Sequence, residues 1–211
     1  MADLLVLGAT GLVGSHVLKL ALADDRVDRV IAPTRRPLPA HTKLLNPIVD
    51  LGQGLPEADW WTVDGVICAI GTTRKTAGSD EAFRAVDFDI PLAVAKKTRE
   101  NGARSFALTS SIGANAASRL LYTRTKGELE NALRGLGFPS LTILRPGVLG
   151  GKRGEFRLGE KIAMIVLGGL GPLLPHRYRV SPAEVVARNL LESALAARPG
   201  ERIIETDRLS A

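Results

Sequence analysis

Apolar residues recur along this chain in short β-rich runs separated by longer segments of helical spacing. The runs fall at 4–7, 29–32, 44–49, 66–70, 105–108, 141–144 and 202–204, which predicts seven strands. Between them, residues 11–23, 79–101, 118–136 and 182–197 carry apolar side chains on one helical face. Strands alternating with helices predict an α/β fold: a Rossmann-type, doubly wound parallel sheet with helices on both faces. Ser181 is expected to cap the last helix, with Pro182 in its first turn and Glu184 closing a capping box. Gly102 is expected to end the 79–101 helix. Residues 50–64 break the rhythm. They are too short and too rich in Pro and Gly for a crossover helix, so a turn or two is expected there. The adjacent Trp60 and Trp61 suit packing or a subunit contact better than base stacking.

At 211 residues and 45% apolar, the chain can bury one substantial core. One domain over 1–211 is expected, with 150–180 as a substrate-side loop and helix insertion. The apolar stretch 162–174 falls short of the ~20 residues a bilayer span needs. It reads as a buried helix and loop, or as a lid or subunit contact. The single cysteine, Cys68, lies in a strand run, which excludes disulfides and thiolate metal sites and fits a reducing cytoplasm. The N-terminus lacks the pattern of a secretion signal. His16, His41 and His176 lack ligand spacing, so no metal is expected.

The net charge of +6 is dispersed, with no long basic run and no aromatic interleaving, which argues against nucleic acid as the partner. Several cations instead fall in loops expected to follow strands: Arg35, Arg36, Arg74, Lys75, Lys152, Arg153 and Arg157. In an open α/β sheet those loops share the edge where ligands bind, which favours an anionic small molecule.

The first of these loops is Gly8-Ala9-Thr10-Gly11-Leu12-Val13-Gly14, between the first strand run and the first helix. There Gly8 permits a tight turn, Gly11 lets backbone N–H groups approach a pyrophosphate, and Gly14 allows close helix packing. Thr10, Leu12 and Val13 would add backbone contacts. The second strand runs into Thr34-Arg35-Arg36-Pro37, with no carboxylate to hold a ribose 2′-hydroxyl. Two guanidiniums suit a 2′-phosphate, so NADP(H) is expected in preference to NAD(H). Asp50, at the end of the third strand, either meets an adenine ring or caps a turn. Ile70 and Gly71 end the fourth beside the expected cofactor path.

Tyr122 and Lys126 stand four positions apart on a helix, hence on one face. A phenol with an ordinary pKa of about 10 exchanges protons poorly near neutrality, and an adjacent ammonium favours its ionised form. A strand-end hydroxyl, Ser110 or preferably Ser111, would hold a substrate oxygen while Tyr122 delivers a proton.

These segments together resemble atypical short-chain dehydrogenase/reductases, and most of all the Tat-interacting-protein-type oxidoreductases. The resemblance runs almost end to end, through GATGLVG at 8–14, TRR at 34–36, GTTR at 71–74, TSSIGA at 109–114, YTRTKGELE at 122–130 and LRPGVL at 144–149. It implies cofactor contacts from Thr10, Gly11, Leu12 and Val13, and phosphate contacts from Arg35 and Arg36. It further implies nicotinamide-side contacts at Ile70, Gly71, Tyr122, Lys126 and the backbone from Pro146 to Leu149, with Arg157 as an additional contact. The short interval from serine to tyrosine departs from the broader reductase pattern, leaving open which serine meets substrate.

The expected activity is NADPH-dependent reduction of a small carbonyl compound, or the reverse oxidation, with Tyr122 as acid, Lys126 as activator and Ser111 as oxyanion donor. A non-catalytic NADPH sensor with a protein partner is an alternative, because fold and cofactor do not fix function. A nucleotide-sugar epimerase or dehydratase is another, although only residues 147–211 follow Pro146 to enclose such a substrate.

Overall fold

The computed structural model describes residues 1–150 and 180–209. Its centre is a parallel seven-stranded sheet: β1 (Ala2–Leu7), β2 (Val27–Ile31), β3 (Leu44–Leu45), β4 (Gly65–Cys68), β5 (Ser105–Thr109), β6 (Ser140–Arg145) and, last in the chain, β9 (Gly200–Glu205). The spatial order is β3-β2-β1-β4-β5-β6-β9. Chain direction across the sheet therefore reverses between β1 and β4, and the crevice outside the carboxyl ends of those two strands is where such sheets bind ligands.

Strand parity sorts the core into two layers. In β1, Leu4 and Val6 face the cluster built on α1 (Leu12–Ala23) and α6 (Ala183–Ala196), through Val13, Val17, Ala21, Val186 and Leu190. Leu5 and Leu7 face the opposite cluster, on α4 (Ile90–Glu100) and α5 (Leu121–Arg134), through Val94, Leu129 and Leu133. Successive strand side chains point to opposite faces, so a strand covered on both sides must be apolar throughout, as residues 4–7 are. The doubly wound Rossmann-type sheet expected from the sequence is thus the architecture observed.

Several local expectations fail for identifiable reasons. The 44–49 run pairs as a ladder only at Leu44–Leu45, with one further bridge from Thr34 to Ile48. The 79–101 helix is divided: α2 (Arg74–Ala77) precedes α3 (Asp80–Arg84), capped by the Ser79 side chain, and a π-helical turn over Ala85–Asp89 separates α3 from α4. Asn101 caps α4 and Gly102 follows with φ +95°, so the helix ends where expected. Ser181 does not cap the last helix. It belongs to a small parallel ladder of β7 (Val148–Gly150) and β8 (Val180–Pro182), and Pro182 takes the N-cap place without a side-chain bond. Within 50–64 two 3₁₀ turns form, Leu51–Gln53 and Asp59–Trp61, and Trp61 is buried with its indole N–H donating to the Pro56 carbonyl at 2.8 Å. Among the described residues no helix is long and apolar enough to cross a membrane, and residues 162–174 lie outside them.

Candidate dinucleotide cleft and reaction centre

The glycine loop leaves β1 and enters α1 within van der Waals reach of β4's end. Gly8 has φ +87°, and a Cβ on it would lie 2.7 Å from the Ile70 nitrogen, so only glycine lets the two strand ends meet. A Cβ on Gly14 would lie 2.0 Å from the Gly8 carbonyl oxygen, which packs the first turn of α1 onto the loop. Gly11 occupies the N-cap of α1 with no side-chain cap, and the first turn holds no acidic residue. That helix end keeps its partial positive charge uncompensated, with Leu12 and Val13 in its first turn, which suits a pyrophosphate. Thr10 is exposed beside it.

Along the same edge, Asn46 shapes the loop after β2. Its amide donates to the Ala32 carbonyl at 2.6 Å and to the Thr34 hydroxyl at 2.8 Å, and its oxygen accepts the Leu38 N–H at 2.8 Å. Arg35 and Arg36 project from this loop, exposed and without an ion pair among the described residues. Asp50 is exposed and caps the first 3₁₀ turn through the Gly52 N–H at 3.1 Å, so the turn-capping alternative is realised.

Beyond Ile70 the edge reaches Lys126. A Cβ on Gly71 would sit 3.4 Å from Asp87 Oδ1 and 3.7 Å from Lys126 Nζ, so the Gly71 backbone lies against this buried pair. Lys126 is 5% exposed and Asp87 1%, with Nζ to Oδ1 at 2.8 Å. Burial alone would push the Lys126 ammonium down. The Asp87 carboxylate, with the Tyr122 phenol adding to it, instead raises it above the ordinary lysine value. Tyr122 is half-buried one helical turn earlier, its ring 6.0 Å from that of Phe83, and its hydroxyl makes no hydrogen bond among the described residues.

The two serines separate clearly. Ser110 Oγ is buried and donates to Glu130 Oε1 at 2.6 Å, whereas among the described residues Ser111 Oγ makes only a local bond to the Ile112 carbonyl at 3.2 Å. Glu130, 1% exposed, also accepts from Arg145 Nε at 3.0 Å and Nη2 at 2.6 Å. This network ties the ends of β5 and β6 to α5. The Pro146 carbonyl accepts the Ile112 N–H at 3.0 Å, and Leu149 pairs with Ser181 in the small ladder. Arg157 lies outside the described residues, as do Lys152 and Arg153. Of the residues singled out by sequence, Gly8 to Gly14, Ile70, Gly71 and Lys126 form one continuous line, with Tyr122 a turn away. Asp87 and Glu130 were missed as site residues. Glu130 lies inside the 122–130 motif, but its partners come from other strands; Asp87 had no local signal.

The fold is that of a short-chain dehydrogenase family protein from Francisella tularensis, with a TM-score of 0.71 at 16% identity, covering 97% of this chain and 96% of that one. MoeE5 in complex with UDP-glucose and NAD aligns with a TM-score of 0.72 at 20% identity, over 95% of this chain and 74% of that one. In sequence, the chain is 36% identical to "Protein fmp52, mitochondrial" of Emericella nidulans, over 95% of this chain and 91% of that protein. This and further curated relatives carry the word mitochondrial in their names, which overturns the cytoplasmic expectation. The HIM1 family description matches residues 46–165. With that match spanning the strands, π turn and α5 around Lys126, and with similarity to a curated relative over 95% of this chain, the chain belongs to the HIM1 family.

Proposed function

We propose that this protein is an NADP(H)-dependent oxidoreductase of the short-chain dehydrogenase/reductase type, acting on a carbonyl or alcohol group of a small molecule. The observation that carries this reading is the contiguity of glycine loop, Ile70-Gly71 and buried Lys126 along one sheet edge. The motifs at 34–36, 71–74 and 109–114, which resemble the Tat-interacting-protein-type branch, support this reading, and its relatives' names support work in mitochondria.

In this reading Gly8, Thr10, Gly11, Leu12, Val13 and Gly14 hold the pyrophosphate, and Arg35 and Arg36 the 2′-phosphate. Asp50 borders the adenine end; Ile70, Gly71, Tyr122, Lys126, Pro146 and Leu149 border the nicotinamide end. The uncapped N-terminus of α1 and the guanidiniums of Arg35 and Arg36, exposed and without an ion pair among the described residues, fit a ligand with those two anionic groups. A nicotinamide held there would supply a hydride for the carbonyl carbon. Ser111 Oγ donates a hydrogen bond to the carbonyl oxygen, since Ser110 is committed to Glu130. The Tyr122 hydroxyl, free of other partners among the described residues, delivers the proton that completes the alcohol.

Screening carbonyl compounds for consumption of reduced nicotinamide tests the reading. Tyr122→Phe is expected to abolish turnover while NADPH binding stays within about twofold. Full turnover by that variant removes Tyr122 from its role. NADPH binding without turnover of any carbonyl would favour a sensor.

A further inference from the structure

The ion pair beneath Gly71 is not explained by packing alone. Asp87 is 1% exposed, and its two oxygens reach two different elements: Oδ1 meets Lys126 Nζ of α5 at 2.8 Å, and Oδ2 accepts the Thr72 N–H at 2.8 Å. Thr72 follows Gly71 at the end of the β4 loop, so one carboxylate joins that loop to the lysine. It does so from the five-residue π turn Ala85–Asp89. Such turns are rare, interrupt the regular α-helix, and recur at functional sites. Among the described residues no donor other than the lysine reaches Oδ1, so the carboxylate and the ammonium each depend on the other.

We propose that Asp87 is a positioning residue that fixes Lys126 and the Gly71-Thr72 backbone to each other, giving the nicotinamide end of the cleft a charge-compensated wall. This rests on the dinucleotide reading above and goes beyond it. The lysine is held as a directed donor whose charge is already matched, whereas Arg35 and Arg36 at the other end are exposed and have no ion pair among the described residues. The groups acting on Lys126 are Asp87 from the π turn, Tyr122 from its own helix and Cys68 from β4. Burial pushes the Cys68 thiol up to about 12, so it remains neutral beside the pair. Arg84 of α3 and Glu128 of α5 pair with each other. Among the described residues, Asp87 is thus the one carboxylate acting on the lysine. Without it, burial would drive the ammonium to release its proton as pH rises.

The two ends of the cleft can be probed apart by calorimetry, with NADPH and with adenosine 2′,5′-bisphosphate, which carries only the adenine end. In Asp87→Asn, binding of the bisphosphate is expected to stay within about twofold of native, while NADPH weakens by about tenfold or more. The ratio of the two affinities is expected to be flat between about pH 7 and 10 in the native protein. In the variant it should fall as pH rises, because the lysine then loses its proton. Should Asp87→Asn fail to fold, Asp87→Asn with Lys126→Met removes both charges. That double variant is expected to regain the native melting temperature and bisphosphate binding, but not the NADPH advantage. Equal weakening of both ligands, or an unchanged ratio at every pH, overturns the proposal while leaving the cofactor reading intact. Failure of the native protein to bind either ligand overturns both.

Discussion

Replacing Glu130 with leucine should cost about 3 kcal/mol of stability, and the structure says why. The carboxylate is 1% exposed and accepts three hydrogen bonds, one from Ser110 at 2.6 Å and two from Arg145 at 3.0 and 2.6 Å. Leucine keeps the volume but leaves the Arg145 guanidinium and the Ser110 hydroxyl facing an apolar side chain, and removes the carboxylate 3.6 Å from Arg134, which keeps Glu201 at 2.8 Å. Removing one member of a buried pair typically costs roughly 3–5 kcal/mol. The lower end applies, because the Arg145 side chain remains 21% exposed and keeps Glu205 at 3.1 Å. For a chain of this length each kcal/mol moves Tm by about 2–4 °C, so a fall of about 6–12 °C is expected. Urea unfolding followed by far-ultraviolet circular dichroism measures the free energy directly. Adding Arg145→Met should recover most of the loss, since an apolar pair of similar volume replaces a buried ion pair at little cost. A loss below about 1 kcal/mol for Glu130→Leu, or a double variant as unstable as the single one, would refute the reasoning.

The glycine loop and β4 give two further expectations. Gly14→Ala places a Cβ 2.0 Å from the Gly8 carbonyl oxygen, whereas Gly11→Ala places one at 3.2 Å from the same atom. The first should cost about 3 kcal/mol and the second within about 1 kcal/mol; equal melting temperatures would show that the loop is not packed this way. Cys68 is fully buried and burial pushes its thiol up to about 12, with the Lys126 ammonium opposing only in part. It should therefore resist a thiol reagent at about pH 8 until denaturant is added, and rapid labelling of the native protein would contradict the burial of β4.

The sheet was legible because its information is local. Residues 4–7 and 66–70 are apolar at every position, as strands covered on both faces must be, and the glycine loop announces its own turn. What was illegible depends on contacts between distant segments. Nothing near Asp87 foretells a π turn or a partner on α5, and Ser181 carries every local mark of a cap yet is drawn into a ladder by Leu149. Ser110 and Ser111 are indistinguishable by spacing; only Glu130, reaching across from α5, separates them. At the third strand, pairing with β2 ends after Leu45 apart from the bridge at Ile48, where the Asn46 side chain turns inward to build the arginine loop.

The account stands or falls on the cleft holding a phosphorylated dinucleotide. Calorimetric titration of the native protein with NADPH and NADH tests this directly, with the Arg35→Ala, Arg36→Ala double variant as reference. Even exposed guanidiniums on a 2′-phosphate should together supply about 1.4 kcal/mol, so NADPH is expected to bind about tenfold tighter than NADH, with the difference erased in the variant. No binding of either nucleotide by the native protein would contradict the account.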